Sequence, residues 1–327
     1  MLVLVAGTAL GQAPARITQA INLHEIVRLP GNTVWRAHAA VDQGAAPPDL
    51  RLEHMLLLLR RSPVQQVALR QLLAAQRTAG SPEYHQWLTP QQFGERFGPA
   101  PADVVTVEQW LQAQGFSVEG LEPGGLVVAF SGTAAGVQRA LHTAMHRYEA
   151  RRADGELADF WANATDPAIP AALTPVVAGV VSLNNFESHA VVQQITGQGS
   201  GHVATPLHPA PELTYSDTNG VTQHALAPGD LDAIYNVNSL LTENINGTGE
   251  SIAIVARSDI DTNDFAVFRT LFEPADASGQ LSVVAATATD PGIATNGDQI
   301  EATADAEWAG AAAPDAMLKL VVAASSD

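Results

Sequence analysis

The chain has 327 residues, 46% of them hydrophobic, which is enough for about two domains with buried cores. It contains no cysteine, which excludes disulfides, thiolate chemistry and Cys-ligated zinc. The net charge of -18 is uneven: residues 1–190 carry 13 Arg against 16 acids, whereas 191–327 carry Arg257, Arg269 and Lys319 against 18 acids, a surface that repels nucleic acid and anionic membranes.

Residues 1–13 read M-L-V-L-V-A-G-T-A-L-G-Q-A, an apolar run with small residues at Gly11 and Ala13. The run is too short to span a bilayer and predicts a secretory signal, with a buried first strand as the alternative. Residues 53–60 (E-H-M-L-L-L-L-R) predict a strand, and 63–78 a helix with Val64, Val67, Leu72 and Leu73 inward. Between 81 and 99, Tyr84, Trp87, Leu88, Phe93 and Phe97 lie among Pro and Gly and are expected to dock on the core as an aromatic clamp. A helix at 102–114, strands at 116–121 and 126–130 around P-G-G, a helix at 134–142 and a hairpin of 144–151 with 156–162 follow. Strand pairs joined by short turns favour an antiparallel sheet with helices on one face, an α+β domain over 24–187.

From 188 to 225 the sequence is rich in Gly, Pro, Ser and Thr without a sustained period, and reads as an interdomain linker suited to a processing site. Order resumes at 226. Strand at 251–256, helix at 262–272, strand at 281–286, helix at 298–313 and strand at 317–323 predict a doubly wound parallel α/β start. The run at 251–256 (S-I-A-I-V-A) is of the kind buried on both sheet faces.

The helix from Asp298 holds two acids, Glu301 and Asp305, four residues apart and therefore on one face. Asp298 as N-cap with Glu301 three residues on, in a capping box, accounts for Glu301 but not for Asp305. A carboxylate remains a usable base in acid, where a histidine is protonated. All ten histidines lie at or before His224, so residues 226–327 cannot supply the base of a Ser-His-Asp site.

Two stretches carry a family resemblance. The first is Tyr84 to Pro90 (Y-H-Q-W-L-T-P) with Phe93, Phe97, Trp110-Leu111, Gly115-Phe116 and Phe130 to Thr133 (F-S-G-T); the second is Gly249 to Ala256, Asp259 to Phe268 and the motif E-x-x-x-D-x-E-W-A-G-A-x-A-P beginning at Glu301. The chain resembles the sedolisin family, the kumamolisin-like serine-carboxyl peptidases. The resemblance implies an activation domain at 24–187 acting as intramolecular inhibitor, then the N-terminal part, 226–327, of a truncated subtilisin-like catalytic domain. It makes Glu301 the general base beside a nucleophilic serine and Asp305 the acid hydrogen-bonded to Glu301. It also implies polypeptide substrates, secretion, no nucleic-acid partner and no membrane once the signal is removed. The nucleophile, in a Ser-Gly-Thr-Ser element, an oxyanion-hole aspartate and a calcium site would all fall beyond Asp327. No cofactor-binding or metal-binding residue is assigned within the chain. Where the family usually has bulkier aliphatics, this chain has Ala304 and Ala306.

Ser131-Gly132-Thr133 reads as a turn capping the next helix rather than as the nucleophile element, because Ala134 follows it. Asn163-Ala164-Thr165 and Asn246-Gly247-Thr248 match the glycosylation sequon. Asp259, Asp261 and Asp264 admit a metal, but Asp261 is better read as an N-cap. The competing function is a non-catalytic binding or inhibitory protein that keeps the activation domain beside a vestigial second domain.

Overall fold

The computed structural model describes residues 13–152, 156–186, 197–199, 213–217, 219–273, 276–286, 290–294 and 297–323. The secretory signal expected at 1–13 lies, apart from Ala13, outside them, as does most of 188–212. The chain divides into two compact units, Met1–Glu187 and Ser188–Asp327.

In the first unit β1 (Ile26–Arg28), α1 (Trp35–His38), β2 (Val41–Ala45), β3 (Arg51–Leu59), α2 (Pro63–Gln76), α3 (Pro90–Phe97) and α4 (Pro101–Ala113) come first. They are followed by β4 (Ser117–Leu121), β5 (Val127–Thr133), α5 (Ala134–Leu141), β6 (Met145–Arg151), β7 (Leu157–Asn163), β8 (Ala168–Pro170) and β9 (Val177–Val181). Every pairing is antiparallel, in a four-stranded sheet β4-β5-β3-β9, a three-stranded sheet β2-β6-β7 and the pair β1-β8. The predicted antiparallel sheet is therefore divided. Tyr148 and Phe160 of β6 and β7 bury a cluster of their own with Ala37 and Phe186. The main core instead joins Met55 and Leu57 of β3 and Phe130 of β5 to Val107 and Leu111 of α4 and Val137 and Leu141 of α5.

Helix starts follow the local chemistry. Ser62 and Thr89 each cap a helix that opens on proline, with Gln65 and Gln92 closing reciprocal capping boxes. The inward face predicted for α2 is wrong at three positions: Leu69 and Leu72 are buried, while Val64 is 78% exposed and Val67 and Leu73 are also exposed. The aromatic clamp is half formed. Phe97 is buried with Leu69 and Leu72, and Leu88 and Phe93 pack against them, but Trp87 is 65% exposed and stacks on His85, which in turn stacks on Tyr84.

The second unit opens with β10 (Gly197–Gly199), β11 (Leu213–Asp217) and β12 (Thr222–Ala225), which pair antiparallel. The segment expected to be a structureless linker thus carries a hairpin. Its turn holds Asn219-Gly220, with Gly220 at φ +78, the hairpin dipeptide flanked by strand formers. Next come α6 (Pro228–Ile234), α7 (Asn238–Thr242), β13 (Ser251–Ala256), α8 (Thr262–Phe272), β14 (Gln280–Ala285), α9 (Asp298–Ala312) and β15 (Met317–Val322). The last three strands form a parallel sheet in the order β13-β15-β14.

The chain moves two places across this sheet through α8 and one place back through α9. Both helices cover the same face: Phe265 of α8 and Ala302 and Ala306 of α9 share one cluster with Leu318, Leu320 and Val322. Opposite moves over one face have opposite hands. One of the two crossovers is therefore left-handed, against the strong right-handed rule. On the other face Ala253 and Lys319 are exposed and Val255 is 79% exposed. Within the described residues the sheet is covered on one side only, which corrects the doubly wound arrangement and the burial of 251–256 on both faces.

Candidate active site

The helix α9 carries both sequence-predicted acids. Its N-cap is Gly297, in the left-handed region at φ 94 and without a side-chain cap. Asp298 is the first helical residue and buried, and its carboxylate accepts from Arg257 Nη2 at 2.6 Å. The capping box expected of Asp298 and Glu301 is therefore absent. The backbone N–H of Glu301 instead donates to Gly297 O at 3.3 Å as an ordinary helical bond. Arg257 follows β13, so this ion pair ties the first turn of α9 to the carboxyl edge of the parallel sheet, where open α/β sheets form their sites. Two neighbouring loops are joined there as well: Asp259 N donates to Gly292 O at 3.0 Å and Ala294 N to Ser258 Oγ at 2.9 Å.

Ala302, Ala306 and Gly310 form the buried stripe of α9. At Gly310 an added Cβ would stand 3.0 Å from Glu273 Oε1 and 3.4 Å from Leu318 Cδ1, which explains glycine in the W-A-G-A run. Small residues let α9 lie close on β15. Glu301 and Asp305 stand beside that stripe, both exposed and one turn apart. Among the described residues neither side chain has a hydrogen bond or ion pair. A third acid, Glu307, is half-buried. Burial, with the Asp264 charge adding to it, pushes its carboxyl up to about 7. The sequence gives no sign of this, because it depends on how α8 packs on α9.

The other candidates resolve as structural groups. Asp261 accepts from Asn263 N at 2.9 Å as the N-cap of α8, and Asp259 Oδ1 accepts from Ile260 N at 2.6 Å. No group of three or more metal-ligating side chains occurs among the described residues.

Ser131-Gly132-Thr133 ends β5 rather than forming a turn. Thr133 Oγ1 accepts from Gly136 N at 3.2 Å as the cap of α5, and a Cβ at Gly132 would strike the Phe116 ring at 2.5 Å. Ser131 nevertheless donates to Glu119 Oε1, whose second oxygen lies 3.1 Å from His54 Nδ1. This contact between a serine, an acid and a histidine was not foreseen from sequence. The backbone N–H of His54 donates to Ser131 Oγ itself at 3.1 Å, so it is not free to stabilise an oxyanion. An open groove of about 620 Å³ in the first unit, bounded by Gly94, Pro101, Val104, Leu121 and Glu122, is lined by no serine, threonine or histidine.

Both sequon asparagines are already committed. Asn163 is buried, and its Nδ2 donates to Asn32 O at 2.8 Å and Thr165 O at 2.9 Å. Asn246 Nδ2 donates to Asp315 Oδ2 at 2.5 Å. Folded protein from a glycosylating host should carry no glycan at Asn163, as read by peptide mass mapping. Full occupancy there in folded material would contradict the burial.

Comparison with known proteins places the chain. Residues 38–186 match the family model described as Pro-kumamolisin, activation domain. The chain is 31% identical over 201 residues to Xanthomonalisin of Xanthomonas sp. (strain T-22), covering 60% of this chain and 22% of that protein. It is 27% identical over 169 residues to Sedolisin of Pseudomonas sp. (strain 101), covering 48% of this chain and 28% of that protein. The matches thus span less than a third of either relative.

Proposed function

Because the chain belongs to the sedolisin family and carries its activation domain over 38–186, we propose that it is the N-terminal portion of a secreted, acid-acting serine-carboxyl endopeptidase zymogen. The first unit inhibits the second in cis and assists its folding. The observation that carries the reading is the exposed Glu301 and Asp305, without a side-chain partner among the described residues and one turn apart beside the buried Ala302, Ala306 and Gly310 stripe of α9. Residues 226–327 contain no histidine to compete as base.

In this reading a serine from chain beyond Asp327 packs against the open side of α9. Its Oγ attacks the scissile carbonyl carbon while its proton passes to Glu301, and Asp305 supports Glu301 through a shared hydrogen bond. Glu301 then returns the proton to the departing amine, and water repeats the sequence to release the acyl group. The i,i+4 spacing puts both acids on one face of α9, and the Arg257–Asp298 ion pair anchors the first turn of that helix at the carboxyl edge of the sheet.

The 327 residues alone should show no peptidase activity, since two acids can deprotonate a nucleophile only when one is present. Denatured protein substrate incubated with the chain in mild acid should remain intact. Cleavage abolished by Glu301→Gln would place the nucleophile within these residues. If protein extended by its native downstream sequence also fails to cleave and contains no serine facing Glu301, the non-catalytic inhibitory reading replaces this one.

A further inference from the structure

Three β-bulges in the first unit are closed by two carboxylates. On β3, Leu52 pairs with Gly132 and Met55 with Phe130, so Glu53 and His54 both oppose Ser131. On β4, Val118 pairs with Phe130 and Gly120 with Ala129, leaving Glu119 as the extra residue. A bulge interrupts the ladder, and side chains replace the lost bonds here: His54, at φ 55, donates its N–H to Ser131 Oγ at 3.1 Å. Ser131 donates in turn to Glu119, and His54 Nδ1 reaches the other Glu119 oxygen at 3.1 Å. One carboxylate thereby links β3, β4 and β5.

The third bulge repeats the device. On β2, Asp42 pairs with Tyr148 and Gly44 with Arg147, with Gln43 extra. Asp42 accepts from Gly44 N at 2.7 Å within its own strand, and its two oxygens lie 2.8 and 3.0 Å from His146 Nδ1 on β6. We propose that Glu119 and Asp42 are acid-released fasteners of the first unit, each holding a bulge closed with a histidine from another strand and letting go as the medium becomes strongly acidic.

The surroundings leave these two acids in control. Glu119 faces Ser131 from β5 and His54 from β3, and the other charges of β3, Arg51 and Glu53, pair with each other at 3.5 Å. Asp42 faces His146 and Tyr148 of β6. Tyr148 is held above its ordinary value by burial, and then by Asp42, so it stays neutral in acid. Arg147, which pairs with Asp159 at 2.6 Å, and Glu149 and Arg151 alternate onto the other face of β6.

The donors hold both carboxyls below their ordinary values: Asp42 through His146 first and Gly44 N second, Glu119 through Ser131 first and His54 after it. A carboxyl lowered by folding stabilises the fold above its unfolded value, and that contribution is lost as pH falls through the lowered folded value. Mild acid leaves the fasteners intact, since both carboxyls are held below the ordinary carboxylate range and stay ionised there. Stronger acid removes them. The device needs no catalytic chemistry and stands whether or not the peptidase reading does.

The test is hydrogen exchange on the 327-residue chain, corrected for the intrinsic pH dependence of exchange, with the amides of Gly44 and His54 as reporters. Protection there should be constant between about pH 6 and 5 and fall roughly tenfold or more between about pH 4 and 2.5, ahead of the α4 and β9 amides. Glu119→Gln should remove the acid-dependent fall at His54 alone, and Asp42→Asn that at Gly44 alone, each leaving protection at the level wild type shows in acid. Wild-type protection that does not change with pH, or variants that keep the wild-type acid-dependent fall, would overturn the proposal.

Discussion

Glu301→Gln and Asp305→Asn, each made in protein that extends through its native downstream sequence, should lower kcat by roughly a hundredfold to ten-thousandfold, the range for losing a positioned general base. Substrate KM should change little, because neither carboxylate is placed to bind the substrate away from the reacting carbonyl. The fold should survive both changes. Each side chain is exposed and unpaired among the described residues, so its amide isostere disturbs no buried contact, and surface substitutions of this kind usually move stability by less than about 0.5 kcal/mol. Far-UV circular dichroism and denaturation midpoints matching the parent would separate lost chemistry from lost structure. Asp298→Asn is the contrasting case. It removes one charge of the part-buried pair with Arg257 at 2.6 Å; losing one partner of a fully buried pair costs about 3–5 kcal/mol, and the partial exposure of Arg257 brings the cost below that range. Activity and stability should then fall together.

Stability of the second unit should decline as pH rises from acid to neutral, and Glu307→Gln should abolish much of that decline. Burial first, and then the Asp264 charge, push the Glu307 carboxyl up to about 7. Folding therefore favours its protonated form. Below the unfolded value of 4.5 the group is protonated in both states and imposes no penalty. Between 4.5 and about 7 the unfolded chain ionises while the folded chain does not, so stability falls across that window and levels off above it. The difference corresponds to at most about 3 kcal/mol, which partial exposure of the side chain screens to about 1–2 kcal/mol. Denaturant midpoints read from hydrogen exchange in α9 should be higher near pH 4.5 than near pH 7.5. In Glu307→Gln the two midpoints should draw closer together, the remaining difference coming from Glu273, whose carboxyl burial likewise pushes up to about 7. Equal midpoints in the parent chain would show that Glu307 ionises freely. The direction of the effect suits a module that works in acid, and it is opposite to that of the fasteners in the first unit.

The sequence made the parallel strands and α8 and α9 legible because their signals are redundant. Apolar runs of strand length alternate with helices bounded by Asp261, Gly297 and Pro314, and the observed ends differ from the expected ones by a residue or so. The spacing of Glu301 and Asp305 fixes their common face before any packing is known. Their exposure is a matter of packing: it follows from the Ala302, Ala306 and Gly310 stripe having the sheet beneath it. Misreadings arose where one local pattern had two solutions. Composition at 188–225 masked the Asn219-Gly220 hairpin, since Gly and Pro abundance reads as linker whether or not two short strands flank a turn. Hydrophobicity alone assigns Tyr84, Trp87, Leu88, Phe93 and Phe97 to the core, yet of these the cluster on α2 takes in Leu88, Phe93 and Phe97. Asp298 looked like a cap because acids favour that position, but the left-handed Gly297 takes it and frees Asp298 to pair with Arg257. Glu307 and the two fasteners were invisible for a different reason. Each depends on residues distant in sequence, such as His54 with Glu119 and Asp42 with His146, and no local period encodes those contacts.

The claim that Glu301 and Asp305 form one catalytic unit is tested most directly by a double-mutant cycle. Acid peptidase activity of the downstream-extended protein would be measured for Glu301→Gln, Asp305→Asn and the pair together, with substrate in excess. Residues that act as a unit are strongly non-additive, so the double variant should be no slower than the slower single variant, all three far below the parent. Losses that multiply, or a single variant that keeps full activity in acid, would contradict the account.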